Sequence, residues 1–345
     1  MIINWNCVIV VELSILDLVF INQGETPRDA IQNSVKVAQA AESLGYKRIW
    51  IAEHHNFPSI ASAATSVVIG HIAGHTKKIR VGAGGIMLPN HSPLVIAEQF
   101  GTLESLYPKR IDLGLGRAPG TDQLTLRALR SDPMASQHFP EDVKELLNYL
   151  SSDKEDGKIN AIPGFGTNVP VWILGSSLFG AQLAALLGLP FAFASHFAPT
   201  YLKDAISIYQ KQFRPSQYLE KPYVMMAMNV IAADTDEEAK LLFTSVEQSF
   251  LGILRNKRTP FPPPVSNMDS LWSETEKQMA HQMLSISAVG TKETITSKII
   301  NLTNGLNINE IMVVSSIFET QKRIHSLELL MGIKDQFTTK VSISS

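Results

Sequence analysis

Residues 110–122 read RIDLGLGRAPGTD, three glycines spaced GxGxxxG behind a strand-like run. A dinucleotide-binding loop is similar: GxGxxG joins a strand to a helix whose free N–H groups meet a pyrophosphate. Here the spacing is one residue too long. Pro119 and Gly120 fall where a first helical turn would form, and Arg117 puts a full positive charge inside the loop. The choice between an open nucleotide-binding sheet and a closed barrel therefore rests on the flanking sequence.

On both sides, short β-branched runs alternate with amphipathic segments that carry cap signals, which predicts a parallel sheet covered by helices. The N-terminal run MIINWNCVIVVELSILDLVF lacks a basic n-region and a small-residue cleavage site, and it carries Glu12 and Asp17. It reads as the first buried strand rather than a signal or anchor. Thr26, Pro27 and Asp29 then open a helix and Gly45 closes it. RIWIAE, IRVGAG and RIDLGLG follow as strands two to four, and VWIL, PFAFAS, YVMMAMNVIA and EIMVV as strands five to eight. Thr235 with Glu238 predicts a capping box, and Asn304–Gly305 a helix end. Successive βα units without a break in composition favour an α/β fold of the (β/α)8 TIM-barrel type over a doubly wound sheet. One domain over residues 1–345 is expected. The excess over a typical barrel of about 250 residues falls in two rim insertions, at residues 118–169 and 254–285.

Composition narrows the function. The chain has 345 residues, 45% hydrophobic and 18% charged, with a net charge of -2 and no basic block, so nucleic acid has no electrostatic footprint to hold. No run of about eighteen uncharged apolar residues predicts a membrane span. The single cysteine, Cys7, excludes an internal disulfide and any multi-cysteine metal site, and fits the cytoplasm. A small-molecule protein is the expectation.

In a (β/α) barrel, binding groups gather at the C-terminal strand ends. Those ends are Asp17, Glu53-His54-His55, Gly84-Gly85, Arg117, Gly175-Ser176-Ser177, Ser195-His196, Asn229 and Ser315-Ser316. The set holds no carboxylate pair with acid/base spacing, and the chain has no GxSxG elbow. His54 and His55 point to opposite faces while the segment is extended, and His71 and His75 lack the glutamate of HExxH, so no metal is expected. Three glycines in Gly82–Gly85 point to a close ligand approach or a simple bulge. Ser176 and Ser177 stand just ahead of a helix starting near Leu178, which makes either an ordinary cap or, with Arg117, a phosphate cradle. His54, with an ordinary pKa near 6.5, is the candidate for moving a proton at neutral pH.

Taken in order, RIWIAEHHN, GAGGIMLPNHSPLVIAEQFGTLESLYPKRIDLGLGRAPGTD, GSSLFGAQLAALLGLPFAFASHFAP and SAVGTKETITSKI resemble the bacterial luciferase-like monooxygenases, in their single-subunit oxidoreductase branch. The likeness runs from Leu13 to Gly332. It implies a (β/α) barrel that holds reduced FMN at the strand C-termini and uses O2 to oxidise a small organic substrate, often an aldehyde. On this resemblance His54 supports the oxygen chemistry, and Arg117 and Ser176, flanked by Gly175 and Ser177, bind the flavin phosphate. Gly84-Gly85 match a pair joined by a non-proline cis peptide beside the isoalloxazine ring. Gly175 and Gly116 stand where the luciferase chain has a glutamate and a cysteine, so light emission is not expected. No NAD(P)H fingerprint is visible, which implies a separate flavin reductase as the source of reduced FMN, and relatives are often homodimers. Two other readings share the motifs: a deazaflavin-dependent dehydrogenase that passes hydride without oxygen, and a non-catalytic flavin-binding protein.

Overall fold

The computed structural model describes residues 5–118, 122–132, 134–152 and 159–343. Pro119 and Gly120 of the opening loop lie outside the described residues. In chain order the strands are β1 (Trp5–Val10), β2 (Glu12–Asp17), β3 (Arg48–Ile51), β4 (Arg80–Met87), β5 (Ile111–Gly116), β6 (Val171–Gly175), β7 (Phe191–Phe193), β8 (Val224–Ala232), β9 (Ser287–Gly290), β10 (Glu310–Val314) and β11 (Thr338–Ile343). β2 to β8 pair in sequence, all parallel. β10 pairs with β2 on one side and β8 on the other, which closes an eight-stranded TIM barrel.

Two strand expectations need correction. The N-terminal run is not one strand: β1 leaves the barrel and pairs antiparallel with β11, and the barrel strand starts only at Glu12. Ser287–Gly290 is an additional strand that pairs with the outer half of β8, which at nine residues runs on beyond the barrel wall.

Strand alternation sorts the interior. In β3, Ile49 and Ile51 pack outward in the layer shared with the helices, while Trp50 and then Ala52 pack inward with Leu16, Trp172, Met225 and Met312. The same phase carries His54 to the inner side beyond the strand end. The N-terminal end of the barrel is plugged by ions. Arg48 donates from Nη1 to Asp112 Oδ2 at 2.7 Å and from Nε to Glu310 Oε1 at 2.8 Å, and Tyr223 donates to Glu310 Oε2 at 2.8 Å. Ser14 also donates to Glu310, and Arg80 binds the other oxygen of Asp112. Buried charges need such partners, and this plug leaves the opposite end of the barrel for function.

The helix Pro27–Leu44 has the expected reciprocal box between Thr26 and Asp29 and a left-handed Gly45 at its end. Thr235 caps Asp236–Leu254 through the Glu238 N–H, but Glu238 does not reciprocate. Its carboxylate is turned to Lys322 Nζ at 3.0 Å instead. Between β5 and β6 lie the helices Gln123–Ala128 and Phe139–Leu150, and Glu274–Met283 follows the proline-rich loop after Leu254.

Candidate active site

The C-terminal strand ends surround a cavity of about 480 Å³. Its walls are mostly apolar, and the sequence-derived residues His54, Gly84, Gly85, Arg117, Gly175, Ser176 and Ser177 all line it. His55 does not, as the strand phase requires. Every charged side chain among the described lining residues is a cation: Arg117, Lys257 and Arg258. Among the described residues no aspartate or glutamate lines it.

One end is built on the turn from β6 into the helix Leu178–Leu187. Ser177 is its N-cap residue but makes no side-chain cap bond, so its hydroxyl and the first helical N–H groups are left for a ligand. Arg117 stacks over Phe179 with Cζ 4.2 Å from the ring centroid. These groups together suit a phosphate.

Along the wall, the Gly84–Gly85 peptide is cis. The glycines are required by the protein itself rather than by ligand space alone. A Cβ on Gly84 would lie 2.7 Å from Leu16 Cδ1, and one on Gly85 would lie 2.7 Å from the Gly114 carbonyl oxygen.

Histidines occupy the inner wall. His54 packs edge-on against Phe57 with ring centroids 5.2 Å apart. Its Nδ1 is buried without a hydrogen-bond partner, as is that of His196. Burial pushes the His54 pKa down to about 4, against the opposite pull of Glu53, and burial with the nearby His54 pushes His196 down to about 3. The expectation that His54 titrates near neutrality therefore fails: at pH 7 it is a neutral hydrogen-bonding group. His196 follows β7 and is fixed through its carbonyl, which accepts from Asn229 Nδ2 at 2.7 Å. His196 stands among the strand ends in the sequence but was not singled out there. Arg258 and Phe57 carried no signal, because they sit on loops whose path periodicity does not fix.

Behind this wall, Glu53 is a hub. Its Oε1 accepts from Nε2 of both His55 and His91 at 2.8 Å, and its Oε2 accepts from the Met87 N–H at 3.0 Å. Burial alone would raise its pKa, but the bonds from His55 and His91 hold it below the usual carboxylate range. The three residues have a donor set that a divalent cation could take. The same atoms are already engaged with one another by hydrogen bonds. His71 and His75 pack against each other at a tilt of 52° with centroids 4.4 Å apart, the first partly buried and the second exposed, and neither lines the cavity.

The arrangement can hold a flat, largely apolar molecule with an anionic group at the Arg117 end. Comparison with known proteins gives the family of the chain. A family described as "Luciferase-like monooxygenase" matches residues 11–306. The chain is 50% identical over 327 residues to a "Luciferase-like monooxygenase" of Escherichia coli K12, covering 94% of this chain and 98% of that one. It is 34% identical to the "N-acetyl-S-alkylcysteine monooxygenase" of Bacillus subtilis, covering 93% and 97%. Among solved structures, apo-MsnO8 superposes with a TM-score of 0.83 at 29% identity, covering 96% and 100%. The fold alone is shared with the FMN-bound oxygenating constituent of a Pseudomonas putida 3,6-diketocamphane monooxygenase, at TM-score 0.71, 17% identity and coverage of 95% and 98%. It is also shared with an F420-dependent secondary alcohol dehydrogenase, at TM-score 0.65, 18% identity and coverage of 93% and 98%.

Proposed function

The chain belongs to the luciferase-like monooxygenase family, and from that membership we propose that it binds reduced FMN and uses O2 to oxidise a small, largely apolar organic substrate. One observation carries the reading: a cation, serine hydroxyls free of cap bonds and a helix start meet at one end of an apolar cavity whose wall also holds the partly buried rings of His54 and His196. Those residues fit FMN. Bound there, the cofactor supplies the electrons that activate oxygen.

The chain's own residues have separate tasks. Arg117, with Ser176, Ser177 and the helix N–H groups, holds the phosphate, and Gly175 keeps the turn close to it. The side-chain-free backbone of Gly84-Gly85 gives the ring a flat wall. His54, neutral at pH 7, offers the cavity an imidazole ring for hydrogen bonding without putting a charge there. The apolar walls, Phe57 and Phe261 among them, exclude water from the reacting atoms. The similarity to the N-acetyl-S-alkylcysteine monooxygenase supports oxygen insertion. The family resemblance further supports delivery of reduced FMN by a separate flavin reductase, and a homodimer in the cytoplasm.

The F420-dependent neighbour defines the competing chemistry, hydride transfer without oxygen. Oxygen uptake by the protein supplied with reduced FMN separates the two. Faster or substrate-dependent uptake supports the oxygenase. Inertness towards FMN, with reduction of a bound deazaflavin by an alcohol, supports the dehydrogenase.

A further inference from the structure

The cavity holds more positive charge than one phosphate explains. Its charged lining residues are Arg117, Lys257 and Arg258, with no carboxylate among the described residues to balance them. They fall in two places. Arg117 rests on Phe179 beside the serine turn. Arg258 rests on Phe57, with Cζ 3.7 Å from the ring centroid, and Phe57 in turn touches His54.

Arg258 is partly buried and, among the described residues, has no ion pair and no hydrogen bond; its described contact is the aromatic face. A guanidinium held this way keeps its five donors free while the ring fixes its position. The other arginines of the barrel show the contrast, since Arg48 and Arg80 each bind Asp112 directly. Lys257 is exposed and adds charge without a fixed position. The cavity that Arg258 lines is largely apolar, with Phe20, Phe250, Phe261 and Met283 among its members. A cation fixed on the lining of an apolar cavity, one ring away from His54, is matched by a molecule with a carboxylate at one end and a hydrocarbon body.

We propose that Arg258 is the specificity-determining residue for substrate, and that the substrate is an amphiphilic organic acid whose carboxylate binds the guanidinium while its apolar part lies against Phe261 and His54. The proposal rests on the FMN reading, which assigns Arg117 to the phosphate and leaves Arg258 for the second anion. It also explains why the site needs no acidic residue: both of its ligands bring negative charge.

The test uses the FMN-loaded protein and two probes of equal length, octanoate and octanamide, titrated by calorimetry. A charge-assisted pair favours octanoate by about tenfold or more in the wild type. In Arg258→Gln that preference falls to within about twofold while FMN affinity is unchanged, and in Arg258→Lys part of it returns. Equal affinity for the two probes in the wild type overturns the proposal. So does a preference that survives in Arg258→Gln, or one that disappears in Arg117→Gln instead. If the wild type fails to bind FMN, the functional reading falls by itself. Octanoate and octanamide titrated into the cofactor-free protein then still decide the role of Arg258.

Discussion

His54 and His196 stand in the wall of one cavity, each with a buried Nδ1 that no described residue bonds, and a charge on His54 opposes a charge on His196. Both are neutral in the folded protein at pH 7 because their pKa values are pushed down to about 4 and about 3.

A pH dependence of stability follows. The unfolded chain protonates these rings near pH 6.5, above the folded values, so it binds more protons between the two. Their contribution is complete above pH 6.5 and is lost as the pH falls toward 4. Between pH 7 and pH 5 the loss is about 2 kcal/mol per histidine. His196→Gln flattens that slope by the same amount in urea unfolding at pH 7, 6 and 5. A variant with the wild-type slope would show that the ring titrates in the folded state as it does in the unfolded chain.

The plug at the other end of the barrel carries stability and no chemistry. Asp112 is fully buried between Arg48 and Arg80, and the two guanidinium groups hold its carboxyl below the usual range despite the burial. Asp112→Asn leaves both cations short of a charge and lowers stability by about 3–5 kcal/mol. Lys47→Ala, at the half-exposed edge of the same network, costs under about 1 kcal/mol. Chemical denaturation of the two variants checks the contrast, and equal losses would mean that the network is not closed around Asp112.

Gly85→Ala brings a methyl group 2.7 Å from the Gly114 carbonyl, and backbone cannot swing away as a side chain can. A loss of about 1–3 kcal/mol is expected. Thermal unfolding measures it, and a variant as stable as the wild type would place the glycine requirement in the ligand alone.

Glu53 ties His55, His91 and Met87 without a metal in this account. Dialysis against EDTA leaves Tm unchanged, while Glu53→Gln, which gives the two imidazoles a weaker acceptor, lowers stability by about 1–3 kcal/mol. A Tm that falls with EDTA in the wild type and not in Glu53→Gln would instead reveal a bound cation.

The barrel strands were legible because each is a short apolar run with a turn at its end, and strand phase alone separated His54 from His55. The strand break before Glu12 was not, since apolar residues on both sides of Val11 hide where the chain changes partners. The meeting of Arg117, Ser176 and Ser177 at one end of the cavity, proposed here as a phosphate cradle, was readable because strand ends and a helix start are local features. Arg258 was not: it belongs to a loop, and only the tertiary contact with Phe57 brings it beside His54. The charge state of His54 was also hidden, because it depends on burial by residues distant in sequence. The hub role of Glu53 needed His91, 38 positions away, to become visible.

The central claim is that the Arg117 end of the cavity binds the phosphate of FMN, and fluorescence titration with FMN and riboflavin tests it most directly. Two charge-assisted bonds or more distinguish the ligands, so the wild type binds FMN at least about tenfold more tightly than riboflavin. Arg117→Gln weakens FMN by about ten- to a hundredfold and leaves riboflavin nearly unchanged. Equal affinities for FMN and riboflavin in the wild type, or equal losses of both in the variant, would contradict the account.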